Sequence, residues 1–238
     1  MIKKYSGTNE IADSLAQILL EIASVNDDRK IHIALSGGNT PKLIFCYLAE
    51  NYCNRLNDNR FHFWWGDDRC VPSDNDDSNF KWAFDLWLKP IGTDSKNIHR
   101  VMGENNPEEE SVRYENEIKK TVTIENGLPC FDLIMLGLGN DGHTASIFPD
   151  HEELLSCDQL CAVATHPVTS QKRITFTGRL INNARHIIFV VTGKDKAGMV
   201  KNVVEDSVPD YPASHIKPVH GTITWLLDEQ AASLIKNS

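Results

Sequence analysis

Residues 131–149 read FDLIMLGLGNDGHTASIFP, and this stretch joins an apolar run to a group of polar residues. The run FDLIMLG at 131–137 has the length and the Ile, Leu and Met content of a buried strand. The polar group that follows is Gly139, Asn140, Asp141, Gly142 and His143. Its two glycines allow a sharp turn. The sequence therefore predicts a carboxylate and an imidazole two residues apart at the end of a strand.

Asp141 and His143 form a candidate acid–base pair. In an open α/β sheet the ligand crevice lies at the carboxyl ends of the strands, where these two residues are predicted to be. The alternative is an ordinary polar turn in which both side chains only cap the backbone. This stretch alone does not separate the two interpretations.

Strands and helices alternate along the rest of the chain. Strands are predicted at 31–35, 61–65, 131–137, 173–177, 186–193 and 222–227. Helices are predicted at 8–25, 79–88, 107–120, 179–184 and 196–205, with short ones near 144–148 and 228–235. A further helix follows the strand at 31–35, with Thr40 as its cap and Pro41 in its first turn. This alternation predicts one α/β domain over residues 1–238, with a mostly parallel sheet covered on both faces.

Composition excludes several classes of partner. The 238 residues carry a net charge of −9 with a pI near 5.4, and the basic residues are scattered. General binding to nucleic acid or to a membrane surface is therefore not expected. A small anionic substrate remains compatible, because it needs only a few local cations.

The polar N-terminus and the short apolar runs predict no secretory leader and no membrane span. Six cysteines without a CxxC spacing favour reduced thiols, a cytoplasmic setting and no metal cluster.

Four polar clusters each follow a predicted strand, at 36–40, 66–69, 139–143 and 192–194. The carboxyl ends of parallel strands meet at one edge of a sheet, so these clusters are expected to converge. Convergence is stronger support for a site than any single motif.

The cluster SGGNT at 36–40 is a candidate anion cradle through Ser36, Gly37, Gly38 and Thr40. Free N–H groups in a glycine-rich turn at a helix N-terminus favour a phosphate. The cluster matches neither GxGxxG nor a P-loop, so a nucleotide is not indicated. The alternative is a tight strand–helix turn.

Basic and acidic residues of the other clusters could complete such a site. Asp67, Asp68 and Arg69 follow the strand at 61–65, and Arg69 is suited to a phosphate or a carboxylate. Lys194 and Arg173 are further candidate phosphate ligands. The alternatives are an ordinary surface ion pair for Arg69 and a solvated surface position for Lys194.

Together and in this order, these clusters resemble the 6-phosphogluconolactonase family. The matching segments are LSGGNTP at 35–41, DDRCVPSDNDDSN at 67–79, LGLGNDGHTASIFP at 136–149, RITFT at 173–177, VTGKDKA at 191–197 and PASHIKPVHGTITWLLDEQAA at 212–232. Two departures are visible. Asp68 stands where the family usually has Glu, and the spacer VTSQK before Arg173 is longer than usual.

The resemblance implies a Rossmann-like three-layer α/β sandwich without a metal or another cofactor. It implies hydrolysis of 6-phospho-D-glucono-1,5-lactone, a small sugar-phosphate substrate, in the pentose phosphate pathway. We expect His143 to be the general base and Asp141 or Asp67 to orient its imidazole. Ser146 lies outside a GxSxG motif and is not expected to be a nucleophile.

Two other functions stay open at this point. A glucosamine-6-phosphate deaminase shares the fold and a DGH turn, but typically reads DGHIAFNEP, with a Glu where this chain has Phe148. A non-catalytic sugar-phosphate sensor would keep the glycine turn and the cations without needing His143.

Overall fold

The computed structural model describes residues 1–25 and 28–236. Its strands are β1 (Ile2–Tyr5), β2 (Ile31–Leu35), β3 (Phe61–Trp65), β4 (Asp67–Arg69), β5 (Ile98–His99), β6 (Ile124–Glu125), β7 (Leu128–Pro129), β8 (Leu133–Leu136), β9 (Cys161–Thr165), β10 (Lys172–Phe176), β11 (His186–Val191) and β12 (Thr222–Asp228). Its α-helices are α1 (Thr8–Ser24), α2 (Asn39–Leu56), α3 (Asn79–Ala83), α4 (Pro107–Thr121), α5 (Gly178–Ile181) and α6 (Ala197–Val204).

The central sheet contains seven strands in the order β1-β12-β11-β8-β2-β3-β5. All adjacent pairs are parallel. A smaller antiparallel sheet has the order β4-β10-β9, and β6 pairs with β7. The expected α/β fold with a mostly parallel sheet is confirmed.

Two apolar cores cover the two faces of the sheet. All five residues of β2 and of β3 are buried, as expected for central parallel strands. Successive side chains of a strand point to opposite faces. Ile33 accordingly packs in one core with α1 and α2, and Ala34 packs in the other with α4, α5 and α6. These layers form the three-layer sandwich.

The predicted cap of α2 is wrong. The helix begins at Asn39, and its N-cap position is held by Gly38, with φ of +108° and no side-chain cap. Thr40 instead shares a hydrogen bond of 2.6 Å with the hydroxyl of Thr192 at the end of β11. The Thr40 side chain therefore links the start of α2, after β2, to the end of β11 across the intervening strand β8.

Two short predicted helices are also wrong. Residues 144–148 form a tight turn with a bridge between Thr144 and Ile147, and Ala145 has φ of +47°, which an α-helix excludes. A 3₁₀ helix follows at Pro149–Leu155. Residues 229–235 form turns, in which the carboxylate of Asp228 accepts hydrogen bonds from the N–H groups of Gly193 and Ala231.

The predicted helix at 79–88 is α3 followed by a π-helical turn at Phe84–Leu88.

All six cysteines are free thiols. No helix within residues 1–25 and 28–236 is long and apolar enough to cross a membrane.

Candidate active site

Four adjacent strands of the sheet, β11, β8, β2 and β3, end in the four polar clusters singled out from the sequence. A cavity of about 520 Å³ opens at this edge. It is lined by Ser36, Gly37, Gly38, Asp67, Arg69, Asn79, Gly137, Leu138, Gly139, Asn140, Asp141, His143, Ala145, Arg173 and Lys196. The site is therefore built from strand ends that are distant in sequence.

Asp141 and His143 form a hydrogen-bonded pair in the turn after β8. Asp141 Oδ1 lies 2.5 Å from His143 Nδ1 and also accepts the backbone N–H of His143. Partial burial opposes ionisation of Asp141. The hydrogen bond and the charge of His143 outweigh it and lower the Asp141 pKa to about 2. Because this carboxylate stays ionised, it accepts the Nδ1 proton, and Nε2 is left as the basic nitrogen.

Gly139 makes room for this pair. Its N–H donates to the carbonyl oxygen of His143, which closes the turn. A Cβ on Gly139 would overlap the His143 imidazole and the Asp141 carboxylate. A side chain at this position would therefore displace both groups.

Asp67 contacts a different set of residues. Its carboxylate accepts a hydrogen bond of 2.6 Å from Ser146 Oγ and lies 4.0 Å from Arg173 Nη1. Asp67, Ser146 and Arg173 are all more than nine-tenths buried. Asp141, rather than Asp67, is thus the carboxylate hydrogen-bonded to His143.

Arg69 and Arg173 face each other across the antiparallel pair of β4 and β10. Burial lowers the pKa of Arg173, the nearby Asp67 raises it, and the Arg69 charge lowers it further. The Nε atoms of both arginines are buried without a hydrogen-bond partner among the described residues. Like charges directly opposite each other are unfavourable. The pair is therefore suited to an anion placed between or beside the two guanidinium groups.

Asp68 and Asn79 hold Arg69 in place. Asp68 accepts the backbone N–H groups of Asn79 and Phe80 at the start of α3, which binds this helix to β4. Asn79 Oδ1 accepts a hydrogen bond of 2.9 Å from Arg69 Nη1, and its amide donates to the carbonyl oxygen of Asp67. Asp68 is therefore a buried structural anchor, and Asn79 is a lining residue that sequence reasoning missed.

Lys196, rather than Lys194, lines the cavity. Both lysines belong to one 3₁₀ turn after β11. Burial lowers the pKa of Lys196, partly offset by the negative charges of Asp195 and Asp141. Of the candidates named from the sequence, Thr40, Asp68 and Lys194 do not line the cavity. The sequence could not distinguish the two lysines, because both follow the same strand and glycine.

Comparison with known proteins identifies the family of this chain. Residues 6–225 match the family model described as glucosamine-6-phosphate isomerases/6-phosphogluconolactonase. The 6-phosphogluconolactonase of Haemophilus influenzae is 41% identical over 227 residues, with 94% of each chain covered.

Two solved structures share the fold over their whole length. The devB protein is 37% identical with a TM-score of 0.92, and the match covers 99% of this chain and 100% of that one. The 6-phosphogluconolactonase of Trypanosoma brucei is 26% identical with a TM-score of 0.88, over 99% and 98% of the two chains. The chain belongs to the glucosamine-6-phosphate isomerase/6-phosphogluconolactonase family.

Proposed function

We propose that this chain hydrolyses 6-phospho-D-glucono-1,5-lactone to 6-phospho-D-gluconate, a step of the pentose phosphate pathway. One observation carries the proposal. The Asp141–His143 pair shares a single cavity with Arg69, Arg173 and Lys196. A general base and an anion site within one cavity suit a phosphorylated substrate whose other end is hydrolysed. The family relationship supports the same reaction.

The cations and the turn at Gly37 and Gly38 bind the phosphate in this proposal. Arg173 is 8% exposed and keeps an unpartnered Nε, and its Nη1 makes one long contact of 3.4 Å to Ser146. A buried guanidinium with unused donors is expected to gain from a phosphate oxygen. The glycine turn adds the N-terminus of the 18-residue helix α2 to this end of the cavity.

His143 acts as the general base in the proposed mechanism. Its Nε2 takes a proton from a water molecule as the water oxygen attacks the lactone carbonyl carbon. The tetrahedral intermediate then collapses, the bond from this carbon to the ring oxygen breaks, and the imidazolium returns the proton to that oxygen. Asp141 stabilises the imidazolium throughout. A positioned base of this kind contributes roughly 10²–10⁴ in rate.

Ser146 does not serve as a nucleophile in this mechanism. Its side chain is 0% exposed, and its hydroxyl donates to Asp67. A serine nucleophile needs an adjacent base and access to substrate. Direct attack by water uses only groups that line the cavity.

Phe148 argues against a deaminase. It packs against His143, with 4.8 Å between the ring centroids, and is completely buried. A deaminase that opens a sugar ring would use an acid at this position, and an aromatic ring supplies no proton. A sugar-phosphate sensor, in turn, gives no role to the Asp141–His143 pair.

The test is turnover of freshly prepared lactone by wild-type protein and by His143→Ala. We expect wild type to exceed the spontaneous rate and the variant to lose roughly 10²–10⁴ in kcat, with a much smaller change in KM. His151→Ala is the matched control, because His151 pairs with Glu153 on the adjacent 3₁₀ helix and does not line the cavity. A folded His143→Ala protein with near-normal kcat would remove the base from the mechanism. No turnover by wild type would overturn the function itself.

A further inference from the structure

Phe148 lies between the base and a phosphate-site cation. Its ring centroid is 4.8 Å from that of His143 and 5.6 Å from Arg173 Cζ. Its side chain is 0% exposed. The same ring meets the imidazole of His166 edge-on at 5.2 Å. Phe148 thus contacts its own segment through His143 and the β9–β10 hairpin through His166 and Arg173.

His143 needs a contact of this kind to keep one orientation. Its imidazole has one side-chain hydrogen-bond partner in the described structure, Asp141, whose own side chain is 43% exposed. A ring held through a single nitrogen can still rock about that bond. The Phe148 ring packs on the imidazole and restricts this motion. Nε2, the nitrogen that receives the proton in the proposed mechanism, is thereby held in one position.

The Arg173 guanidinium, which also contacts the Phe148 ring, is likewise held by few contacts of its own. Its ion pair with Asp67 is long, at 4.0 Å, and its Nε has no partner. A guanidinium near an aromatic ring gains a cation–π attraction that does not use up its N–H donors. Phe148 can therefore steady the cation and leave those donors free for a phosphate.

His166 anchors the far edge of the Phe148 ring. Its Nδ1 accepts the backbone N–H groups of Val168 and Thr169, each at 3.2 Å, in the turn between β9 and β10. These bonds fix the imidazole to the hairpin. With His166 fixed, the Phe148 ring has one rigid neighbour that holds it in place against His143 and Arg173.

We propose that Phe148 is a positioning residue that sets the His143 imidazole and the Arg173 guanidinium at a fixed separation, matched to one phosphorylated lactone. This inference rests on the proposed lactone hydrolysis. Displacing a positioned group by about 1 Å can cost 10²-fold in rate. Loss of the aromatic ring is therefore expected to lower kcat through His143 and to raise KM through Arg173.

The test compares Phe148→Leu and Phe148→Met with Phe61→Leu. Phe61 is equally buried but belongs to the core on the opposite face of the sheet, so its variant reports the cost of losing a buried phenyl ring alone. We expect similar drops in thermal midpoint for Phe148→Leu and Phe61→Leu. Only the Phe148 variants should lose roughly ten- to a hundredfold in kcat and show a raised KM. Phe148→Tyr keeps the ring and should retain more of kcat than either aliphatic variant.

The motion of the His143 imidazole provides a second readout. NMR relaxation of the ring should show a rigid imidazole in wild type and larger motion in Phe148→Leu. An imidazole that is as rigid in Phe148→Leu as in wild type would overturn the proposal. So would a folded Phe148→Leu or Phe148→Met protein with kcat within about twofold of Phe61→Leu. Either result would leave lactone hydrolysis by wild type untouched, so the two proposals fail separately.

Discussion

Lys194 and Lys196 differ by two positions in one turn but occupy different environments. Lys196 lines the cavity and is partly desolvated, and Lys194 is not part of the lining. We expect Lys196→Ala to weaken binding of 6-phosphogluconate by roughly ten- to a hundredfold, because a charge-assisted contact to phosphate contributes about 1.5–3 kcal/mol. Lys194→Ala should stay within about twofold of wild type, as is usual for surface substitutions.

Titration calorimetry with 6-phosphogluconate and with unphosphorylated gluconate checks this prediction. The loss in Lys196→Ala should be confined to the phosphorylated ligand. An equal loss for both ligands would place Lys196 at the sugar rather than at the phosphate. A larger loss in Lys194→Ala than in Lys196→Ala would reverse the assignment of the two lysines.

Single residues could be placed from the sequence where local geometry decides. The Asp141–His143 contact spans two positions of one turn, and the spacing in NDGH already brings the two side chains together. Asn79 is different, because only the packing of α3 against β4 brings it to the cavity. No local pattern encodes that contact. The contacts of Asp67 with Ser146 and Arg173 likewise depend on tertiary structure, and they exclude Asp67 as the partner of His143.

The turn between β2 and α2 depends on close packing at Gly37. A Cβ on Gly37 would overlap the Asn79 side chain, which holds Arg69. We expect Gly37→Ala to displace Asn79, to release Arg69 and to raise KM for the lactone roughly tenfold. Crowding of this kind also costs about 1–3 kcal/mol in unfolding free energy.

Gly7→Ala is the control for the Gly37→Ala variant. Gly7 precedes α1 with extended backbone, and an added Cβ meets nothing within 4 Å. Steady-state kinetics and urea unfolding on both variants check the prediction. An unchanged KM in a Gly37→Ala protein of normal stability would show that Asn79 can move without disturbing Arg69.

Elements were predictable where they are long or fully buried. The strands β2, β3 and β11 carry continuous apolar runs, and α4 has a clear start at Asn106 and Pro107. The short strand β4 and the strand β9 were missed. The pairing of β4 with β10 is antiparallel and remote in sequence, so it is set by tertiary contacts rather than by local preference. The strand β9 forms a hairpin with β10, joined by residues 166–171. That small sheet is what places Arg173 opposite Arg69.

A cluster of three histidines lies on one face of the main sheet, in the strands β2, β3 and β5. His32 and His62 are cross-strand neighbours, and His62 Nδ1 lies 2.9 Å from His99 Nε2. Burial, followed by the charge of the neighbouring histidines, lowers the pKa of His32 to about 3 and that of His62 to about 4. Other charges also act on the cluster, namely Arg29, Lys30, Lys96 and, bonded to His99, Glu117.

These shifts make the whole fold sensitive to acid. In the unfolded chain the imidazoles bind protons with a pKa near the ordinary value of 6.5, whereas folding lowers this pKa and disfavours protonation. The contribution to stability is therefore fully present above pH 6.5 and is lost as the pH falls toward 4 and then 3. His32 alone lowers the unfolding free energy by about 3 kcal/mol as the pH falls from 6.5 to about 4. Asp68 has the opposite effect on the unfolding free energy in this range. Burial raises its pKa to about 6, so the folded state takes up a proton more readily than the unfolded chain as the pH falls.

Comparison of wild type with a variant that lacks the His32 imidazole separates the pH effect of the buried histidine from that of Asp68. His32→Gln cannot titrate, and its side-chain oxygen can still accept the indole N–H that Trp64 donates to His32 Nδ1 in wild type. We expect the unfolding free energy of His32→Gln, measured in urea from pH 7 to pH 4.5, to fall less steeply than that of wild type. His220→Gln, at an exposed histidine, should follow the wild-type curve. Parallel curves for wild type and His32→Gln would show that the buried imidazole takes up protons as readily in the folded state as in the unfolded chain.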